Sequence, residues 1–351
     1  MIHIDGSQKS GSGTIVRDAV PFAVLTGESV HLFNIRARRK NSGLRAQHLM
    51  AIRACAEMCA ARVKGDSVGS SEIYFYPGNR IIGGRYCWDI GTAGSTIMLA
   101  MAVLPLALFA DAPSEFRIIG GVFQDFAPSA FHFQQLFLPL LRRMGAGVKL
   151  EIVRPGYVPA GKGEIRLTVQ PLTNALKSLE LLGSGQLEKV QGIALSSQLK
   201  ARQVSHRMAV ACLQELRREG IDAQIQRIYD EADDPAFGQP SVQPGAALAI
   251  WARTSWMGYL GADMAGRPGR RAEWIGQQVA RQLLTDWKTG ATVDRYLADQ
   301  LIPYAAMAKG TTRYRIPECS DHVEARLWLV KEFLQVSARL KGRVLEIRGR
   351  G

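Results

Sequence analysis

The chain has 351 residues, with 44 lysines and arginines against 31 aspartates and glutamates, a formal charge of +13. Hydrophobic residues make up 47% of it, yet no apolar run reaches spanning length, which excludes a helical membrane protein and leaves a soluble chain long enough for more than one domain. The opening Met1-Ile2-His3-Ile4-Asp5-Gly6 lacks the basic-then-apolar order of a signal peptide, and the five cysteines show no metal-site spacing, so a cytoplasmic protein with reduced thiols is expected.

A basic balance of this size favours polyanions: RNA, DNA, nucleotides or an anionic surface. Arg36, Arg38, Arg39, Lys40 and Arg45 are clustered, and Arg343, Arg348 and Arg350 lie at the C-terminus. Charge alone does not choose among these partners.

Taken in order, residues 2–5 read as a strand and residues 6–13 as a glycine-rich turn that opens a helix over 14–25. Such a turn presents free amides to an anion, although no glycine precedes Lys9 at the spacing of a Walker A loop. A strand over 30–35, a long helix over 43–63 and a strand over 72–76 ended by Pro77-Gly78 follow. The order then recurs: strand 85–90, small-residue turn 91–95, apolar helix 96–109, strand 115–119, helix 128–144, and strands near 148–153 and 164–169. Two β-α-β-α-β-β units of similar spacing point to internal duplication.

A third copy starts near 178–182 and is interrupted. Strands at 190–195, 223–228 and 246–251 with a helix over 205–220 make a compact unit of their own, and residues 230–244 form a polar loop inside it. Helices over 271–287 and 292–308, a strand over 313–316 and a closing pair at 336–340 and 344–347 resume the copy. The expected architecture is a layered α+β fold: three β-α-β-α-β-β repeats in 1–184 and 271–351, with a small α/β domain inserted at 185–270.

One helix of the third copy carries a chemical hint. Val323, Leu327, Val330 and Leu334 recur at helical spacing behind Pro317, with Ser320 or Asp321 as cap. His322 falls in the first turn, one step off the apolar stripe. The positive end of the helix dipole disfavours an imidazolium there, so a neutral ring with one free lone pair is expected, as a nucleophile or general base requires. On the local pattern alone, a surface histidine at a helix start is the better reading.

The residues resemble the RNA 3′-terminal phosphate cyclase family over essentially the whole chain. The resemblance rests on Ile4-Asp5-Gly6-x-Gln8, Gly11-x-Gly13-x-Ile15-x-Arg17, Ile35-Arg36-Ala37-x-Arg39 and Gly43-Leu44-x-x-Gln47-His48-Leu49 in the first copy. It continues through Tyr76-Pro77-Gly78, Ile90-Gly91-x-Ala93-Gly94-Ser95, Tyr157-x-Pro159-Ala160-Gly161-x-Gly163, Gly261-Ala262-x-x-x-Gly266-Arg267, Tyr296-Leu297-Ala298-Asp299-Gln300 and the placement of His322 ahead of Phe333.

The resemblance implies an ATP-dependent, ligase-type nucleotidyl transfer in RNA processing. His322 would become linked to AMP, AMP would pass to an RNA 3′-phosphate, and the vicinal 2′-hydroxyl would displace it to leave a 2′,3′-cyclic phosphate. It further implies a divalent cation (Mg or Mn) on the ATP phosphates, Tyr296, Asp299, Gln300 and Pro128 in the nucleotide pocket, and Arg17, Arg36 and Arg39 on the RNA phosphate. His48 matches the family too, with a structural hydrogen bond as the equal alternative.

Four departures stand out: Ser10 where the family usually carries a glutamate expected to handle metal or phosphate, Thr14 and Met101 at glutamine positions, and Ala325-Arg326 where Thr-Asn usually follows the histidine. A catalytically inactive RNA-binding relative is the second reading these departures allow.

Overall fold

Alternation builds the first sheet. In β1 (Ile2–Asp5), β2 (Val30–Phe33) and β4 (Ile73–Tyr76), Ile4, Val30, Leu32, Ile73 and Phe75 are buried, while His3, His31 and Tyr74 take the opposite face. Helices α1 (Gly13–Thr26) and α2 (Ala46–Cys59) cover the buried face. The edge strand β3 (Arg62–Lys64) lies where the sequence extends the helix to residue 63. The helix stops earlier, because Ala60 turns left-handed at φ 52° and sends the chain back along β4.

The computed structural model describes residues 1–351, and the same sheet occurs three times in it. The first runs β1-β2-β4-β3. The second, from β5 (Gly84–Asp89), β6 (Ser114–Gly120), β7 (Gly147–Arg154) and β8 (Gly163–Gln170), runs β5-β6-β8-β7. Its helices are α3 (Thr96–Leu108) and a longer element in which α4 (Ala130–His132) passes through a π-turn at Phe133–Phe137 into α5 (Leu138–Arg143). Each sheet opens with a parallel pair and continues antiparallel, so the internal duplication expected from the sequence is present down to strand order.

The third copy starts at β9 (Glu180–Leu181) and is interrupted by a separate four-stranded sheet. That sheet contains β10 (Leu187–Ser197), β11 (Ala223–Asp230), β12 (Gly245–Thr254) and β13 (Tyr259–Ala265), in the order β11-β10-β12-β13. The strand β13 is one the sequence reading did not assign. Helices α6 (Val204–Arg218) and α7 (Ala272–Lys288) lie together on this sheet, and Met208, Cys212, Leu248, Ile250, Leu260, Ile275, Val279 and Leu283 form a second core.

The packing therefore places α7 with the small unit, beyond the boundary expected at 270. An amphipathic helix names its buried face but not its partner, and besides the shared core one close approach marks the choice. A Cβ on Gly276 would lie 2.3 Å from the Met208 carbonyl oxygen, so α6 and α7 approach as closely as only glycine permits. Gly276→Val is expected to lower stability by about 1–3 kcal/mol through overpacking, measured by equilibrium urea denaturation; an unchanged midpoint would show that the helices part freely.

The third copy then resumes with α8 (Leu297–Gln300), α9 (Ile302–Met307), β14 (Thr311–Arg315), α10 (Asp321–Leu334), β15 (Ser337–Lys341) and β16 (Val344–Arg348), giving the sheet β9-β14-β16-β15. The helix expected over 292–308 is shorter and divided. Asp294 Oδ1 accepts from the Tyr296 and Leu297 amides at 2.8 and 2.9 Å, which fixes the start of α8. The helices of the three copies face inward and share one core. Where α1, α3 and α9 meet, Pro21, Pro105 and Pro303 line a common cleft. No helix is long and apolar enough to cross a membrane.

Candidate active site

The glycine turn delivers α1 to the site. Gly11 takes φ +51°, and the Ser12 side chain caps the helix by accepting from the Thr14 amide at 3.2 Å. Gly13 is demanded by its neighbour: a Cβ there would sit 2.0 Å from His48 Nε2. His48 is buried and accepts the Arg45 amide through Nδ1 at 3.2 Å, the structural hydrogen bond that the sequence left as one of two readings. Burial, followed by Arg17, Arg36 and Arg45, pushes its pKa down to about 2, so it is neutral.

Helix α10 lies across α1. Ser320 caps it, accepting from the Val323 amide at 3.3 Å, and His322 follows half-buried in the first turn. His322 Nδ1 lies 3.0 Å from Thr14 Oγ1, and Arg17 Nη2 donates to the same oxygen at 3.2 Å. Burial lowers the His322 pKa. Asp299 opposes the shift, and Arg326, Arg17 and Arg39 reinforce it. The neutral ring expected from the helix dipole thus has burial and guanidinium charge as its main causes. With Nδ1–H donating to Thr14 Oγ1, Nε2 retains its lone pair, as a nucleophile needs.

Beside this group, Arg326 is buried between two carboxylates, with Nε 2.7 Å from Asp18 Oδ2 and Nη1 2.7 Å from Asp299 Oδ2. Arg326 is thus not free to grip a phosphate, because two of its donors already meet carboxylates. Asp299 is correspondingly tied to Arg326, and burial raises its pKa against the pull of Arg326 and His322.

Arg17 is the contrasting case. Its one protein hydrogen bond is the contact to Thr14, and burial pushes its pKa down to about 10, with Arg326 and Arg36 adding to the effect. It is a desolvated cation with donors to spare.

A cavity of about 470 Å³ opens at His322. It is lined by Arg17, Asp299, Tyr296, Gln300 and Pro128, so six of the eight residues singled out from the sequence border one space. Arg36 and Arg39 are outside its lining. Arg36 donates to the Gly43 carbonyl at 2.8 Å, and Arg39 lies 3.5 Å from the Ser10 carbonyl, though both charges act on the group around His322 and Arg17.

Gln300 Oε1 is buried without a partner. The Tyr296 ring stands edge-on to His132 at 5.5 Å, and burial pushes its phenol up to about 12. His132 is itself buried against Asp294 at 2.9 Å; burial would lower its pKa, but Asp294 and Asp263 reverse the direction and raise it. This pair ties the second repeat to the turn that starts α8. Ser10 points elsewhere, with its hydroxyl 3.0 Å from Ser12 Oγ, and no cluster of three His, Cys, Asp or Glu side chains is arranged to hold a metal ion.

Sequence reasoning missed Thr14, treating it only as a departure, because it meets His322 across 308 positions. It also missed the second wall of the cavity, formed by Gln124, Asp125, Phe126, Asp263 and Arg270 from the second repeat and the inserted unit.

Residues 8–340 match the model of the family described as RNA 3′-terminal phosphate cyclase. The RNA 3′-terminal phosphate cyclase of Methanopyrus kandleri is 37% identical over 358 residues, covering 100% of this chain and 99% of the relative. Those of Ignicoccus hospitalis and Archaeoglobus fulgidus are each 36% identical, with 99% of this chain covered and 99% and 100% of the relative. Among solved structures, the enolpyruvyl transferase NikO from Streptomyces tendae matches at a TM-score of 0.26 and 13% identity, over 99% of this chain and 51% of that one; a likeness this weak carries no argument. The repeats, the His322 helix and these full-length matches agree: the chain belongs to the RNA 3′-terminal phosphate cyclase family.

Proposed function

We propose that this protein converts an RNA 3′-phosphate end to a 2′,3′-cyclic phosphate with ATP, through AMP linked to His322. The observation that carries the reading is the pair of contacts on Thr14 Oγ1, which holds a neutral imidazole at the wall of a nucleotide-sized cavity beside an arginine with free donors. His322 Nε2 attacks the α-phosphorus and pyrophosphate leaves. The RNA 3′-phosphate oxygen then takes the AMP from the ring, and the 2′-hydroxyl oxygen bonds to the 3′-phosphorus as AMP departs.

Gln300, with its unpartnered buried oxygen, suits the amino group of adenine, and Tyr296 suits one face of the base, with Pro128 beside it in the lining. Asp299 holds Arg326 through Oδ2 and sits near His322, and it lines the cavity in which its nucleotide contact is expected.

Of the carboxylates lining the cavity, one is free to meet a divalent cation, Mg²⁺ or Mn²⁺, that arrives on the triphosphate. Asp125 is held by Arg270, Asp263 by the Ser129 amide and Asp299 by Arg326, while Glu318 makes no ion pair or hydrogen bond. A single free carboxylate suits an ion held mostly by phosphates and water, whose charge there offsets that of the ATP phosphates.

Incubation with ATP labelled at the α-phosphorus tests the reading: acid-labile, alkali-stable label on the protein, chased by RNA bearing a 3′-phosphate, is the expected result. For the RNA end, Arg17→Ala, Arg36→Ala and Arg39→Ala should each weaken binding of 3′-phosphate RNA by about 1–3 kcal/mol, the range for hydrogen bonds to charged groups, with a smaller loss for 3′-hydroxyl RNA. Equal losses for the two ends in a filter-binding assay would make the cluster a general basic patch.

A further inference from the structure

One side chain at the mouth of this cavity has no partner in the protein. Phe126 is 100% exposed, and its backbone takes φ +64°, a conformation that bulky residues adopt only when the surroundings impose it. Here they do so from both sides. Asp125 is gripped by Arg270 through two 2.8 Å bonds, Arg270 also donates to the Ala265 carbonyl at 2.6 Å, and its guanidinium lies 5.5 Å from the Trp274 ring centroid. On the other side, beyond Pro128, the Ser129 amide donates to Asp263 Oδ2 at 2.6 Å. The inserted unit thus clamps both flanks of a residue whose apolar ring is left in water.

The ring borders the same cavity as His322, Tyr296, Pro128 and Gln300, whereas Arg36 and Arg39, assigned to the RNA end, do not. Arg17, also assigned to the RNA end, does border it, but Pro128, assigned to the base, lies two residues from Phe126 in the same segment. We propose that Phe126 is a positioning residue that stacks on the purine of the bound nucleotide and so closes the mouth of the cavity. This rests on the ATP reading above. Stacking of an aromatic ring on a base returns the exposed phenyl to an apolar contact, and the strained backbone keeps it from collapsing onto the protein instead.

The test uses the full chain in two assays. In the labelling reaction without RNA, Phe126→Ala should raise the ATP concentration at half-saturation at least fivefold, with the larger effect there and less than twofold on the saturated rate; Phe126→Tyr should restore it. In the binding assay, Phe126→Trp should gain fluorescence quenching by ATP over the wild-type background, and inorganic tripolyphosphate should give none. Half-saturation within twofold of wild type in Phe126→Ala, no added quenching in Phe126→Trp, or a loss confined to RNA binding would each overturn the proposal. The two readings separate cleanly: ATP quenching without any protein label removes the histidine–AMP step and leaves the stacking, while label without quenching removes the stacking alone.

Discussion

Replacing His322 by Asn should abolish label transfer from ATP, by at least ~1,000-fold as for the loss of other enzyme nucleophiles, while stability changes by less than about 1 kcal/mol. The small stability effect follows from position: the residue is half-buried in the first turn, and the packing of α10 is carried by Val323, Leu329, Val330 and Phe333. The wild-type pH dependence has a definite sign. Attack needs the neutral ring, and burial with Arg326, Arg17 and Arg39 lowers its pKa despite Asp299. Labelling should therefore persist as pH falls through the ordinary imidazole range and fail only below it. An acid limb above that range would assign the titration to another group. If the wild-type protein takes no label across several divalent metals yet still binds RNA, the non-catalytic RNA-binding reading replaces the catalytic one.

Arg326→Met should be the most destabilising single change near the site, by about 3–5 kcal/mol, because it strands Asp18 and Asp299 in a buried setting with no counter-charge. Arg326→Lys should recover only part of the loss: one ammonium on a flexible stem does not reproduce two donors of a planar fork aimed at separate carboxylates. Equilibrium denaturation of the two variants against wild type measures both effects. The same variants carry a functional reading. Asp299 and Arg326 both act on His322, so Arg326→Met should also slow labelling in the fraction that remains folded. A Met variant as stable as wild type would mean that the two carboxylates find protons or other partners, and that the network is dispensable.

The Ser10 departure looks different once the turn is folded. The sequence raised the question of whether a missing carboxylate at position 10 removes a metal ligand. In the fold, the Ser10 hydroxyl is turned toward Ser12, and Glu318, from the segment before α10, is the cavity carboxylate left without a partner. Thr14 likewise reads in sequence as the loss of a glutamine, yet its hydroxyl orients His322. In both cases the local chemistry was visible and the partner was not.

What the sequence determined by itself is what short-range patterning controls. Strands read at 2–5, 30–35 and 72–76, small-residue turns before α1 and α3, and the recurrence of that order specify three repeats with an interruption in the third, and the spacing of Val323, Leu327, Val330 and Leu334 with Ser320 ahead of them puts His322 at a helix start. What only the tertiary structure decided depends on contacts between segments far apart in the chain. The partner of α7, the commitment of Arg326 to Asp18 and Asp299, the hydrogen bond between His322 and Thr14, and the wall that the inserted unit adds through Asp263 and Arg270 all join such segments. The physical reason is the same in each case. A residue's type and spacing fix which face it lies on and which bonds it is able to make, but many segments present compatible faces and charges. The choice among them is made by the shared core, where close packing admits one arrangement of the three repeats and brings these side chains to one cavity.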